Sequence, residues 1–230
     1  MDYTQLTGSN TTYGSIANWI NSSQLVGAAP EIVLEAESWI YRRLRHWKML
    51  TMPTFGSFTI GQDYITNPSD ILEPFLLWTT GNYFQIMPMK TPQEVICNWS
   101  YNGDGTRTQQ QPLMYWMNQT ALSFDSPPDQ AYGYALIYFQ QPAPLATTIT
   151  NFLTATYPRL VRCACMTAAC EYAKDVGQGN IDRTYWEQAA QDEIDKAQAE
   201  SDRSKRATVA GAVLIGGGVA SNFPSYVTGY

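Results

Sequence analysis

Asp70 with Glu73, Asp125 and Asp129 are the carboxylates whose aromatic surroundings suit a reaction, since two acids flanking a sugar can divide the roles of glycoside hydrolysis, but their sequence positions establish no pair at catalytic distance. A simpler reading serves each of them. Asp70 caps the turn after Asn67-Pro68, and Asp125 and Asp129 flank Pro127-Pro128 in an exposed loop. His46 is the only histidine, which removes most histidine-based metal sites and weakens any Ser/His/Asp relay. Cys163, Cys165 and Cys170 fall in a helical pattern where the first two face apart, so with Cys97 they read as buried reduced thiols of a reducing cytoplasm, not as bridges or metal ligands. GAAP, YNGDGT and LIGGGV lack the spacing and the Lys-Ser/Thr ending of a phosphate loop. Asp104 in NGDGT has neither the acidic ladder nor the terminal Glu of a calcium loop and reads as a turn former. With no nucleophile, base and orienter to assemble, the chain reads as a non-enzyme that needs no cofactor.

Charge gives a different kind of candidate. Arg42, Arg43, Arg45 and Lys48 form a basic patch that fits either the negative end of a helix or contact with a partner or DNA. Residues 51–154 hold seven acids against Lys90 and Arg107, so that surface repels nucleic acid. Asp104, Asp125 and Asp129 are its candidate channel or interface acids. A net charge of −6 and a pI near 4.7 argue against a chain that binds DNA or anionic lipid over its whole surface.

The elements that must position these residues follow from periodicity. Ile32, Ala36, Ile40, Leu44 and Trp47 recur at intervals of three and four, predicting a helix over Pro30–Lys48, with Pro30 in its first turn; Ser15–Leu25 reads as a shorter helix closed by Gly27. From Met52 the punctuation changes to Pro, Gly and Asn. Strands are expected at 58–60, 75–79, 83–87, 113–117, 120–124 and 134–140, with a hairpin at Thr80, Gly81 and Asn82 and a brief helix at 92–99. Helix returns around Ile149–Phe152, then over Pro158–Asp175 ended by Gly177 and Gly179, and over Asp182 to about Arg206, where Asp192 with Lys196 and Asp202 with Arg206 are spaced as ion pairs. The outer half of that last helix has few large apolar residues and is expected to project or to meet a neighbouring subunit.

The fold class expected is α+β: a helical bundle of about four helices (residues 1–50 and 155–206), an inserted antiparallel β-sheet or sandwich domain (51–154) and an extended C-terminal tail (207–230). The tail has no charged side chain. Its longest apolar run, Thr208–Ala220, is 13 residues with four glycines, short of the roughly 20 needed to span a bilayer. The polar start MDYTQLTGSNTTYG lacks the order of a signal peptide.

Read in order, WIYRRLRHWKML, YITNPSDILEPFLLW with YFQIMPM and TPQEV, ALSFDSPPDQAYGYALIYFQQPAPL, and NFLTATYPRLVRCACMTAACEYAKD followed by YWEQAAQDEI resemble the head-to-tail adaptor, or connector, proteins of tailed bacteriophages, over Pro30–Ala207. The resemblance implies a twelve-fold homo-oligomeric ring under the portal, in the virion neck after assembly in the host cytoplasm. It also implies contact with the portal protein and with a downstream tail, nozzle or stopper protein, and passage of double-stranded DNA without sequence-specific binding or membrane contact. Such proteins use a C-terminal extension to reach the portal. Here Val209, Val213, Leu214 and Ile215 are expected to add a strand, with Phe223 and Tyr226 as anchors. The competing class is a carbohydrate-binding or tail accessory module using the aromatics of the insert as stacking platforms.

Overall fold

Side chains that take up free amides start the first helices. The computed structural model describes residues 1–81, 84–175 and 182–215. Asp2 accepts from the Gln5 N–H to open α1 (Tyr3–Leu6), and Ser15 accepts from the Asn18 N–H to open α2 (Ile16–Ile20). The helix expected over Ser15–Leu25 breaks at Asn21, which adopts the left-handed conformation (φ 56°) ahead of a 3-10 turn at Ser23–Val26. α3 (Ala29–Arg43) carries Pro30 and Glu31 in its first turn and buries Ile32, Ala36 and Ile40. It stops short of the expected Lys48 because Leu44 goes over to extended backbone (φ −94°, ψ 128°) while staying fully buried; Trp47, expected in the stripe, is exposed.

Two units share the chain, Met1–Trp47 with Ala143 onward, and Lys48–Pro142. The second contains β1 (Thr54–Ser57), β2 (Tyr64–Thr66), β3 (Ile71–Thr79), β4 (Gln85–Met87), α4 (Pro92–Cys97), β5 (Tyr115–Met117), β6 (Ala121–Phe124) and β7 (Gly133–Gln140). All ladders are antiparallel, in the orders β1-β7-β3-β4 and β2-β6-β5, and a single parallel bridge joins Met89 to Tyr115. One core, centred on Phe58, Leu77, Met87, Tyr115, Leu122 and Phe124, serves both sheets. The strand expected at 58–60 lies instead at Thr54–Ser57, and Phe58 is a core side chain just beyond it, 4.8 Å from the Phe124 ring. β3 starts earlier than expected and runs through Pro74, whose missing N–H is accommodated where the β3–β7 register shifts. Asn82 and Tyr83, at the expected hairpin, lie outside the described residues. Arg107 is used inside this unit: Nη1 pairs with Asp63, Nη2 donates to the Phe124 and Asp125 carbonyls (3.2 and 2.8 Å), and the guanidinium lies 4.2 Å over the Trp99 ring.

The first unit resumes with α5 (Leu145–Thr148), α6 (Phe152–Thr156), α7 (Pro158–Asp175) and α8 (Arg183–Ile215). The helix expected around Ile149–Phe152 falls on a break. Ile149 has φ 61° and ψ −42°, and the Thr150 N–H donates to the Thr148 carbonyl at 2.6 Å, a γ-turn of the strained, positive-φ kind. Asn151 then opens α6 through a capping box with Thr154. α7 is the central helix, packed against α2, α3, α6 and α8, and it buries Leu160, Val161, Ala164, Cys165, Ala168 and Ala169 as its periodicity predicts. α8 passes the expected end at Arg206 and stays helical to Ile215. Its packed face is Ala190, Ile194, Ala197 and Ser201, of which all but Ile194 are small and let α7 approach closely. Lys196 donates to Glu193 (2.7 Å), where Asp192 was the expected partner. The fold is thus mixed α and antiparallel β. Gly177 and Gly179 lie outside the described residues.

Candidate functional site

The most constructed polar site is the root of α8. Because the chain leaves α3 in extended form, Leu44–Trp47 runs against α8 and its amides are free to bond sideways. The Arg45 N–H donates to Gln198 Oε1 (3.3 Å) and the Trp47 N–H to Ser201 Oγ (2.9 Å), with Ser201 fully buried. Between them the fully buried His46 ring stacks on Phe152 at 5.8 Å and places Nε2 3.0 Å from the Tyr157 hydroxyl. That hydroxyl donates to Glu200 Oε2 at 2.8 Å. Its single proton being committed to Glu200, its oxygen accepts from His46, which must therefore carry the proton on Nε2. Burial, then Glu200, pushes the Tyr157 phenol well above its ordinary range, so it remains a donor. The Arg45 guanidinium turns back to the Tyr41 and Leu44 carbonyls (2.6 and 3.0 Å), closing the end of α3. Nothing in the sequence pattern marks this clamp, because Arg45, His46 and Trp47 lie more than a hundred residues from Tyr157, Gln198 and Ser201.

A second buried cluster holds the point where the chain re-enters the helical unit. Glu37 on α3 is buried and accepts from the Tyr41 hydroxyl (3.1 Å), the Leu145 N–H (3.2 Å to Oε1, 3.3 Å to Oε2) and Asn151 Nδ2 (3.3 Å). It thereby caps α5 from another helix. Burial raises the Glu37 carboxyl above its usual range, and the bonds from Leu145, Tyr41 and Asn151 pull it partly back.

The residues singled out in the sequence fall in separate places. Arg42 and Arg43 are exposed in the last turn of α3, with the Arg43 guanidinium 4.2 Å over the Trp39 ring. Arg45 and Lys48 lie beyond α3, so the four cations do not share one helix. Asp104 takes the Thr106 N–H and hydroxyl at 2.9 and 2.6 Å, and these bonds lower its carboxyl below the usual range. Asp125, expected in an exposed loop, is buried along with Pro127 and Pro128, and its Oδ1 accepts from the Leu113 and Met114 amides (2.9 and 3.3 Å). Asp129 is exposed and accepts from the Tyr132 hydroxyl at 2.7 Å. Asp70 accepts from the Tyr138 hydroxyl and from Gln140 Nε2 (3.0 and 2.6 Å), tying the turn before β3 to β7. Cys163, Cys165 and Cys170 are buried, the first two with thiols raised by burial, whereas Cys97, expected to be buried, is exposed. Val209, Val213, Leu214 and Ile215 belong to α8: the backbone expected to add a strand is helical. Phe223 and Tyr226 lie outside the described residues.

Among the described residues no three His, Cys, Asp or Glu side chains gather as a metal site, and no helix is long and apolar enough to cross a membrane. The family model described as SU10 adaptor protein matches residues 1–213. The chain belongs to the SU10 adaptor protein family. The match spans both units and nearly all of α8, leaving residues 214–230 outside it. This is a family of phage head-to-tail adaptors, which makes the adaptor a component of the virion neck. No curated protein matches the chain.

Proposed function

We propose that the adaptor is a structural, non-enzymatic neck protein that forms a twelve-fold ring beneath the portal, seals the portal-tail junction after packaging and contributes part of the DNA exit channel. The helical unit serves as a bundle of about four helices, and the β unit as a small sandwich. The observation that carries this reading is α8. It is clamped at Gln198–Ser201 and continues without a break into an uncharged apolar C-terminal segment, as a docking extension requires. The helical backbone at Val209–Ile215 favours a helix laid into a groove of the portal over the addition of a strand. Phe223 and Tyr226 act as anchors farther along. Arg42 and Arg43 offer an exposed basic contact to a partner, and Asp104 and Asp129 are exposed acids that let DNA pass without sticking. A downstream tail, nozzle or stopper protein occupies the distal side, and assembly takes place in the host cytoplasm.

Deletion of residues 207–230 tests this reading. The truncated adaptor is expected to fold, by its circular dichroism, and to fail to attach to DNA-filled heads; full occupancy of the portal by the truncated chain would sink the extension's role. Imaging of the intact chain on its portal reads the symmetry directly, and a persistent monomer without portal affinity would overturn the ring. Other exposed aromatics of the β unit, Tyr64, Phe84 and Tyr101, support the carbohydrate-binding alternative, which predicts tryptophan quenching by glycans.

A further inference from the structure

Side-chain alternation gives the sheet β1-β7-β3-β4 two faces. Leu77, Met87, Leu136 and Tyr138 lie on the face that forms the unit's core. The ladder registers place Phe55 beside Ala135, Ala135 beside Trp78, and Trp78 beside Ile86, so one uninterrupted row on the opposite face crosses all four strands. Phe75, where the β3–β7 register shifts, sets its ring edge-on to Phe139 at 5.8 Å. Phe55, Phe75 and Ile86 are 71%, 52% and 46% exposed. Trp78 is half-buried and Ala135, between it and Phe55, is covered, so the row presents its large rings and Ile86 to water, and a domain does not keep such side chains exposed together without a use for them.

Charge and size decide what covers it. The row has no charged side chain, and its one polar hydrogen is the Trp78 indole N–H, so it offers little to the hydroxyls of a glycan and nothing to a phosphate. The unit around it is acidic, with Asp63, Asp70, Glu73, Asp104 and Asp129 among its seven acids. Two such units repel wherever those acids meet, and the uncharged row, at the other end of β3 from Glu73 in register with Phe139, is where they approach at least cost. Both edge strands, TFGS and QIM, also lack the lysines and internal prolines that ordinarily keep sheet edges apart. Strands about 4.8 Å apart, of which only β3 and β7 approach about 26 Å while β1 and β4 are short, give a face of roughly 350–400 Å². Two copies therefore bury roughly 700–800 Å², less than the about 1,000 Å² of a specific contact standing alone, so a single pair is weak and the contact holds where ring closure adds to it.

We infer that this outer sheet face is covered by a second copy of the chain; the inference rests on the ring reading and names the surface that builds the ring. The test places the photo-crosslinking residue p-benzoylphenylalanine at Phe55 of the full chain, illuminated alone and on the portal, with the same samples imaged for symmetry. Tyr13, exposed on the helical unit, is the control position. Chain-to-chain adducts are expected from position 55 and not from position 13. Their yield should fall at least about tenfold when Ile86→Glu or, separately, Phe75→Glu is added, with far-UV circular dichroism unchanged. Adducts with the portal or a tail protein alone, or no chain-to-chain adduct in samples that image as rings, overturn the inference. Chain-to-chain adducts without ring symmetry keep the face and remove the ring, and neither adduct nor ring removes both.

Discussion

The interior of the helical unit and the outer face of the β sheet solve opposite problems. At Glu37 and His46 buried polar groups are met by named partners from other segments of the same unit, so that unit holds its own arrangement. At Phe55, Trp78 and Ile86 a row of apolar side chains is left in water or half-covered. A polar group sealed inside fixes one geometry because every alternative leaves it unpaired. An apolar row left outside specifies only that something flat and uncharged should cover it. One unit is finished within the chain, and the other, where a second copy covers that row as we infer, is finished by assembly.

The largest expected effect breaks the finished unit. Glu37→Ala leaves the Tyr41 hydroxyl, the Leu145 amide and the Asn151 side chain without their acceptor and should cost roughly 2–4 kcal/mol in urea unfolding followed by circular dichroism. Phe55→Asp, measured in the same way on the unassembled chain, should stay within about 0.5 kcal/mol of the parent. Equal losses at the two sites would erase the contrast. The pH dependence of Glu37 has a definite sign. Its folded carboxyl lies above the ordinary 4.5, so its contribution is fully present below that value and is lost as pH rises through the folded one. Glu37→Gln should flatten that part of the profile, and an unchanged slope would assign it to another group. Tyr157→Phe removes the bridge between His46 and Glu200 and should cost about 1–2 kcal/mol by the same assay. The smallest effect is a gain. Ile149→Gly relieves a positive φ at a branched residue and, after the added chain entropy of glycine, should stabilise by about 0.5–1 kcal/mol, read as a raised Tm.

The long helices were legible because their stripes repeat: Ile32, Ala36 and Ile40 on α3, and Leu160, Ala164 and Ala168 on α7, are buried where the period puts them. The end of α3 was not legible. The period still counts Leu44 and Trp47, and what ends the helix is the docking of Leu44–Trp47 on α8, a contact distant in sequence. In the β unit, Leu76, Leu77 and Trp78 form a continuous apolar run, so a period of two could not say which face is core. That is also why the row through Phe55 stayed hidden until the registers set its members side by side. Asp125 misled for a related reason: beside two prolines it reads as loop surface, whereas two amides of the Leu113–Met114 segment draw it inside. The helical course of α8 beyond Arg206 ran against a local composition of valine and glycine, both weak helix formers.

α8 is also a lever. At about 1.5 Å per residue, the helix from Ser201 to Ile215 reaches roughly 20 Å past its last contact with the Leu44–Trp47 segment. A tilt of about ten degrees at that fulcrum therefore displaces the tip by roughly 3.5 Å, about two-thirds of a helical turn. Beside its packing on α7, the aim of the C-terminal arm is held at its pivot by three small contacts, Arg45 to Gln198, Tyr157 to Glu200 and Trp47 to Ser201.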